Sequence, residues 1–120
     1  MKMLVTGASG LLGRKIVNLA LKHGHTVFSA YNEHSAEAGI ALKLNLINIE
    51  DVKEAIHSIK PDAIIHTAAY TNVDGCEENR DLAWQVNAEA CKHIAASSAN
   101  IDAHLVYVST DYVFDGEKGF

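Results

Sequence analysis

Thr6-Gly7-Ala8-Ser9-Gly10-Leu11-Leu12-Gly13 decides how this chain is read, because its glycines fall at every third position between an apolar run and an amphipathic period. Upstream, Met3, Leu4 and Val5 form a short apolar run closed by Thr6 and Gly7, the pattern of a strand buried on both faces. Downstream, apolar residues at 12, 16, 19 and 20 recur at helical spacing from Leu11 to His23, and Gly24 stands where a left-handed C-terminal cap belongs. In this setting Gly7 permits a tight exit from the strand. Gly10 lets a pyrophosphate approach the backbone at the helix N-terminus, and Gly13 lets helix and strand pack closely. A glycine triplet alone is a weak signal. Its place after a strand and at the head of a helix favours dinucleotide binding over a merely structural turn.

The alternation continues along the chain. His25–Ala30 reads as a second strand and Ala41–Leu46, with Leu42, Leu44 and Leu46, as a third, while Tyr31–Ile40 is polar and patternless. Asn48 with Asp51 at the third helical position is a helix start; Val52, Ala55, Ile56 and Ile59 extend its apolar stripe, and Pro61 ends it. Ala63–His66 is a fourth strand. A long helix from Asp81 to about Ala99 carries Leu82, Val86, Ala90, Ile94 and Ala95, and His104–Val108 is a fifth strand before a polar tail over Ser109–Phe120. Strands alternating with helices through short turns call for parallel pairing by right-handed crossovers. The expected fold is therefore α/β, a doubly wound parallel sheet of Rossmann type in strand order 3-2-1-4-5, with residues 1–120 forming a dinucleotide-binding domain. Ligands of such sheets lie beyond the carboxyl ends of the strands, here after residues 5, 30, 46, 66 and 108.

Composition narrows the classes of partner. At 120 residues, 48% apolar and 21% charged, the chain is one globular domain or part of one. Its ten Lys and Arg against fifteen Asp and Glu give a net charge of −5, the wrong sign for wrapping nucleic acid. No apolar run approaches the roughly 20 residues of a membrane span, and Met-Lys-Met-Leu-Val-Thr-Gly turns to glycine before a signal-peptide core can develop, so the expected location is cytoplasmic. Cys76 and Cys91 form no CxxC and imply no disulfide; buried inert thiols are the expectation. The seven histidines show no HExxH or paired-ligand spacing, so no metal site is expected from them.

Three positions invite a chemical reading. A carboxylate commonly holds the adenosine ribose at the end of the second strand, but this chain reads Ala30-Tyr31-Asn32-Glu33, with no acid at the strand end itself. A 2′-phosphate would not be repelled there, and Arg14 beside the last glycine could neutralise one, so NADPH is favoured over NADH; the alternative is a solvated Arg14. Asn87 lies mid-helix, where Asn is a poor helix former and costly to bury unpaired, so it needs a polar partner unless it faces solvent. Ser109-Thr110-Asp111 follows the fifth strand, where a hydroxyl can hydrogen-bond a substrate carbonyl as it becomes an alkoxide. Thr110 is the candidate, against a plain ST-turn with a capping Asp.

Four runs in order, TGASGLLG at 6–13, HTAAYTNVD at 66–74, Val86-Asn87, and VSTDYVFDG at 108–116, resemble the extended short-chain dehydrogenase/reductase family. Within it, the last run is most similar to the dTDP-4-dehydrorhamnose reductases. The resemblance implies that Gly7, Ser9, Gly10, Leu11, Leu12 and Gly13 hold the pyrophosphate, and that Tyr31 belongs to the cofactor site. Asn45 and Leu46 would flank the adenine, although the family commonly has Asp where Asn45 stands, which weakens the adenine amino contact. Ala68, Ala69 and Tyr70 would line the cofactor beyond the fourth strand, against a reading of tight packing alone; Asn87 and Val108 complete the cofactor set, Asn87 by organising the catalytic end. Thr110 would act on the reacting carbonyl, Asp111 would accept hydrogen bonds from sugar hydroxyls, and Tyr112 would shape the same pocket.

The implied reaction is NAD(P)H-dependent reduction of the C4 keto group of a nucleotide-linked 4-keto-6-deoxy sugar. The resemblance also allows a homodimer and a Mg2+ ion bridging protomers. Reduction in this family uses a Tyr with a Lys four residues later to lower its pKa. Four residues after Tyr31, Tyr70, Tyr107 and Tyr112 stand Ser35, Asp74, Asp111 and Gly116, so the chain has no such pair. The expectation is an N-terminal piece of a longer enzyme, inactive by itself, since Glu117-Lys118-Gly119-Phe120 caps nothing. Two alternatives share the glycine loop: a nucleotide-sugar epimerase or dehydratase, and a non-catalytic NADP-binding regulatory subunit like that of methionine adenosyltransferase.

Overall fold

Five parallel strands, β1 (Lys2–Thr6), β2 (Thr26–Tyr31), β3 (Ile40–Lys43), β4 (Ala63–His66) and β5 (His104–Tyr107), pair in the order β3-β2-β1-β4-β5 in the computed structural model, which describes residues 1–118. This is the doubly wound order expected from the alternating pattern. Between the strands run α1 (Leu11–Lys22), α2 (Ile49–Ile59), α3 (Val73–Glu78), α4 (Arg80–Trp84) and α5 (Ala90–Asn100). Among the described residues no helix is long and apolar enough to cross a membrane.

Strand β1 sits at the centre and shows why both faces must be covered. Met3 and Val5 point to one side, where they pack with Val17 and Ala20 of α1 and with Val27. Leu4 points to the other, into a larger cluster with Ile64, Val52 and Ile56 of α2, and Ala90 and Ile94 of α5. The apolar run at residues 3–5 is thus split by the strand's two-residue period between two helical layers.

Helix α1 corrects the expected stripe. It buries Gly13, Val17 and Ala20, while Leu12 and Leu19 are 48% and 58% exposed. The small Gly13 brings the helix closest to the chain beneath it, so the buried face passes through 13, 17 and 20 rather than 12, 16 and 19. Gly24 follows the helix in the left-handed conformation, as expected.

Strand β3 stops at Lys43 rather than Leu46. The Leu44 N–H still bonds to the Tyr31 carbonyl at 2.8 Å, after which Leu44 and Leu46 turn into the core on either side of the exposed Asn45. Their alternation reflected burial in a loop, not continued pairing. Helix α2 begins as expected, with Asn48 Oδ1 accepting from the Asp51 N–H, and ends at Ile59, where a left-handed Lys60 (φ 47°) leads directly into Pro61.

The segment expected to be one long helix from Asp81 is more articulated. A short helix, α3, precedes it, started by Asn72 Oδ1 accepting from the Gly75 N–H at 3.0 Å. Then α4 and α5 are joined by a π-helical turn over Gln85–Glu89. Residues 82, 86, 90, 94 and 98 all lie on the inward side, with Ala90, Ile94 and Ser98 buried; Ala95 is exposed, contrary to expectation. A strict four-residue repeat drifts about 40° per step around a 3.6-residue helix, and the wider π turn absorbs part of that drift. Strand β5 ends at Tyr107, one residue earlier than expected, and forms an edge of the sheet. The tail then makes a single 3-10 turn at Asp111–Val113; its last residues, Gly119 and Phe120, lie outside the described residues.

Candidate functional site

The carboxyl ends of β1, β2 and β4 open into one cleft of about 780 Å3. Its floor is the glycine loop. Gly7 leaves β1 with φ 66°, and a Cβ there would lie 2.8 Å from the Ala68 backbone nitrogen, so only glycine fits between the two chain segments. The Ala8 N–H bonds to the Ala30 carbonyl at 3.0 Å, tying the loop to the end of β2. The Gly10 N–H closes the turn on the Gly7 carbonyl at 2.9 Å, and the first intrahelical bond of α1 runs from the Arg14 N–H to the Gly10 carbonyl at 3.0 Å. A Cβ at Gly13 would run into the Gly7 carbonyl, so Gly13 serves the packing of helix against loop rather than helix against strand.

That geometry leaves a donor-rich helix end. The N–H groups of Leu11, Leu12 and Gly13 precede the first intrahelical donor, the Arg14 N–H, and have no partner within α1. Gly10 brings no capping side chain and the first turn carries no acid. Amides and helix dipole together form a cradle for an anionic group such as a pyrophosphate, with no protein carboxylate competing for it. Ser9, Gly10, Leu11, Leu12 and Gly13 all line the cleft.

The facing wall is the segment after β4. Its exit is fastened to the end of β1: Thr67 Oγ1 donates to the Thr6 carbonyl at 2.7 Å, and Thr6 Oγ1 accepts from the Ala68 N–H at 3.4 Å. Thr6 Oγ1 also shares a 2.6 Å hydrogen bond with His66 Nδ1. His66 is fully buried, its ring stacks on Tyr107 at 5.4 Å between centroids, and its Nε2 has no partner among the described residues. Burial lowers its pKa to about 4, so the imidazole is neutral at neutral pH. Beyond this joint Ala68, Ala69 and Tyr70 line the cleft, the small side chains of the two alanines leaving the backbone open to a ligand.

The far end of the cleft is walled by Tyr31, by Asn45 and Leu46, and by Asn32, Glu33 and His34. Asn45 Oδ1 accepts from the Ile47 N–H at 3.1 Å, which holds the turn after β3. Glu33 belongs to the cleft wall although it lies two residues past the end of β2, a position set by the loop rather than by the strand. Arg14 is not in the wall; its Nη1 lies 3.4 Å from Glu37 Oε1 on the surface.

Asn87 does have the polar partner that its mid-helix position demanded. Its Oδ1 accepts from the Tyr70 N–H at 2.8 Å and its Nδ2 donates to the Tyr70 carbonyl at 3.0 Å. It stands behind the cleft wall rather than in it. The Tyr70 carbonyl accepts a second contact from Cys76 Sγ at 3.3 Å. Val108, Thr110 and Asp111 follow β5 on the same carboxyl edge of the sheet but do not line the cleft. The Val108 N–H bonds to the His66 carbonyl at 3.2 Å. Thr110 Oγ1 accepts from the Tyr112 N–H and donates to Asp111 Oδ1, both at 3.3 Å, so in this state it forms the ST-turn that competed with the catalytic reading.

Thr67, Leu82 and Val86 also line the cleft and were not singled out as site residues from the sequence. Leu82 and Val86 read as the start of a core stripe; their place in the cleft wall follows from the packing of α4 and of the π turn after it, which no local pattern reveals. Cys76 and Cys91 are unpaired and half-buried rather than buried, and burial raises the Cys91 pKa. Among the described residues no group of three or more His, Cys, Asp or Glu could hold a metal ion.

Comparison with known proteins places these features in a family. The chain is 41% identical over 120 residues to a Haloferax volcanii protein named "Probable low-salt glycan biosynthesis reductase Agl14", covering 98% of this chain and 39% of that protein. It is 36% identical over 121 residues to methionine adenosyltransferase 2 subunit beta of Pongo abelii, covering 96% and 34%. The structure of a hypothetical dTDP-4-dehydrorhamnose reductase from Sulfolobus tokodaii superimposes with a TM-score of 0.91 at 44% identity, covering 99% of this chain and 42% of that one. The dTDP-4-dehydrorhamnose reductase of Bacillus anthracis in complex with NADP gives 0.82 at 35% identity, covering 98% and 39%. The chain thus spans between about a third and two-fifths of the length of these proteins. The family model described as RmlD substrate binding domain matches residues 1–120, and the chain belongs to that family.

Proposed function

We propose that residues 1–120 form the dinucleotide-binding part of an NADPH-dependent oxidoreductase that reduces the C4 keto group of a nucleotide-linked 4-keto-6-deoxy sugar, with NADH as the alternative cofactor. The observation that carries this reading is the cleft itself. An anion cradle without a competing acid faces an alanine shelf across 780 Å3, at the carboxyl ends of the strands where such sheets bind ligands. Similarity to a reductase structure in complex with NADP supports the choice of cofactor.

The residues present fit the dinucleotide. The amides of Leu11, Leu12 and Gly13 would hold its pyrophosphate, Tyr31, Asn45 and Leu46 its adenosine, and Ala68, Ala69 and Tyr70 the segment toward the nicotinamide. When bound, the reduced nicotinamide supplies a hydride. Its delivery to C4 leaves negative charge on O4, and Thr110 Oγ1, turned from Asp111, would donate a hydrogen bond to that oxygen. Asp111, relieved of that bond, would accept from sugar hydroxyls. No tyrosine of these 120 residues is followed four positions later by the lysine that would lower its pKa, so none of them is assigned the proton that completes the alcohol.

The test is NADPH oxidation by the full-length protein with dTDP-4-keto-6-deoxymannose. Sugar-dependent oxidation supports the reduction; conversion of the sugar without net NADPH oxidation indicates an epimerase or dehydratase instead. The 36% identity to methionine adenosyltransferase 2 subunit beta favours one second reading, a non-catalytic partner subunit that binds the dinucleotide. Co-purification with an adenosyltransferase and no sugar-dependent turnover would support it.

A further inference from the structure

We propose that Glu37 sets the preference between dinucleotides with and without a 2′-phosphate, by holding the Arg14 guanidinium that would otherwise meet that phosphate. The proposal rests on the dinucleotide reading of the cleft.

The loop from Asn32 to Gly39 does two things at once. Its first part, Asn32 to His34, stays in the cleft wall at the end of β2, where the adenosine ribose would lie. Its second part folds back over the α1 face of the sheet, where Ala36 and Ala38 pack against the cluster around Val17, beside Ile16. Ser29 Oγ fixes it further by donating to the Ala38 carbonyl at 2.7 Å. Glu37 therefore stands on a backbone anchored on both sides, while its side chain is 74% exposed and meets Arg14 Nη1 at 3.4 Å.

Arg14 is equally well placed from its own side. It lies in the first turn of α1, one residue past Gly13, with its N–H bonded to Gly10. Its side chain is 46% exposed with the guanidinium turned to Glu37, so the wall includes Glu33 and no arginine. A dinucleotide without a 2′-phosphate needs nothing from Arg14. A phosphate monoester at that position carries close to two negative charges and recruits arginine strongly, but it must first displace Glu37. An exposed pair of this kind is weak, so the exchange costs no more than about fivefold in affinity. The result is a site that accepts both cofactors with a bias that one carboxylate adjusts.

The experiment measures dissociation constants for NADPH and NADH on wild type, Glu37→Gln and Arg14→Gln; both side chains are exposed, and neither change touches the core. Glu37→Gln should tighten NADPH by roughly threefold and leave NADH within about twofold. Arg14→Gln should weaken NADPH by roughly tenfold and leave NADH unchanged. If the ratio of the two constants is unmoved by either substitution while both dinucleotides bind, Glu37 and Arg14 do not govern the choice and the inference fails alone. If wild type binds neither dinucleotide, the reading of the cleft fails and the inference with it.

Discussion

Asn87 and Tyr70, seventeen residues apart, are joined at two points, the side-chain amide of one accepting from the N–H and donating to the carbonyl of the other at 2.8 and 3.0 Å. An amide is the only side-chain group of this size that offers an acceptor and a donor side by side in the register of a backbone peptide. Placed on the π turn between α4 and α5, it fixes the height of the shelf on which a ligand would rest. Asn87→Ala leaves the Tyr70 N–H without its side-chain acceptor and the Tyr70 carbonyl with only the Cys76 thiol, in a half-buried setting, and should cost about 1–3 kcal/mol of stability. Dinucleotide affinity should fall with it because the shelf loses its support. Urea unfolding and an NADPH titration on the same variant check both effects; Asn87→Asp, which keeps the acceptor but not the donor, should be impaired as well.

Gly7→Ala tests the floor of the cleft. Its left-handed backbone costs a non-glycine residue about 1–2 kcal/mol, and the added methyl would meet the Ala68 nitrogen and the Thr67 hydroxyl near 2.9 Å. Both neighbours belong to the segment fastened to β1 and cannot retreat without breaking the Thr67-to-Thr6 bond. The variant should melt at a lower temperature and bind NADPH at least tenfold more weakly, a loss of about 1.4 kcal/mol or more. A variant with the affinity of wild type would show that the close approach of Gly7 to Ala68 is not needed by the ligand.

What could be read without the structure follows the range of the interactions involved. The glycine loop was legible because each glycine answers a local demand, a positive φ at Gly7 and a close contact at Gly13, though the partner of Gly13 proved to be the loop and not the strand. Asn87 could be read as needing a partner unless it faced solvent, but Tyr70 could not be named, because that pairing crosses from a helix to a loop. The end of β3 was misplaced because Leu44 and Leu46 alternate in burial exactly as paired strand residues do. Helix α3 was missed for its brevity, with only the Asn72 cap and Asp74 in its first turn to announce it. Glu33 and His34 could not be placed in the cleft wall from local pattern, since their position depends on Ala36 and Ala38 docking against α1.

His66 makes stability depend on pH. Its folded-state pKa of about 4 lies below the unfolded value of 6.5, so the folded protein resists protonation that the unfolded chain accepts. Stability is complete above pH 6.5 and falls as pH drops from 6.5 toward 4; the total loss is on the order of 3 kcal/mol. Urea midpoints measured at pH 7 and pH 5 should differ in that direction. His66→Leu should flatten the slope between those pH values whatever its stability at pH 7, where it removes the Thr6 hydroxyl's 2.6 Å bond to the ring and leaves it only the Ala68 N–H.

Thr110 can be tested apart from cofactor binding because it lies outside the cleft that would hold the dinucleotide. Its hydroxyl now serves the turn, accepting from the Tyr112 N–H and donating to Asp111. The catalytic reading requires it to redirect its proton to the substrate oxygen as charge develops there, an interaction whose removal typically costs 10²–10³ in kcat. Thr110→Val should therefore lower kcat for sugar-dependent NADPH oxidation by about a hundredfold, with the NADPH dissociation constant unchanged and stability reduced by about 1 kcal/mol through the lost cap. Thr110→Ser keeps the hydroxyl and should retain activity within about tenfold of wild type. If valine and serine behave alike, with kcat near that of wild type in both, the hydroxyl only shapes the turn and the oxygen of the substrate is held by another group.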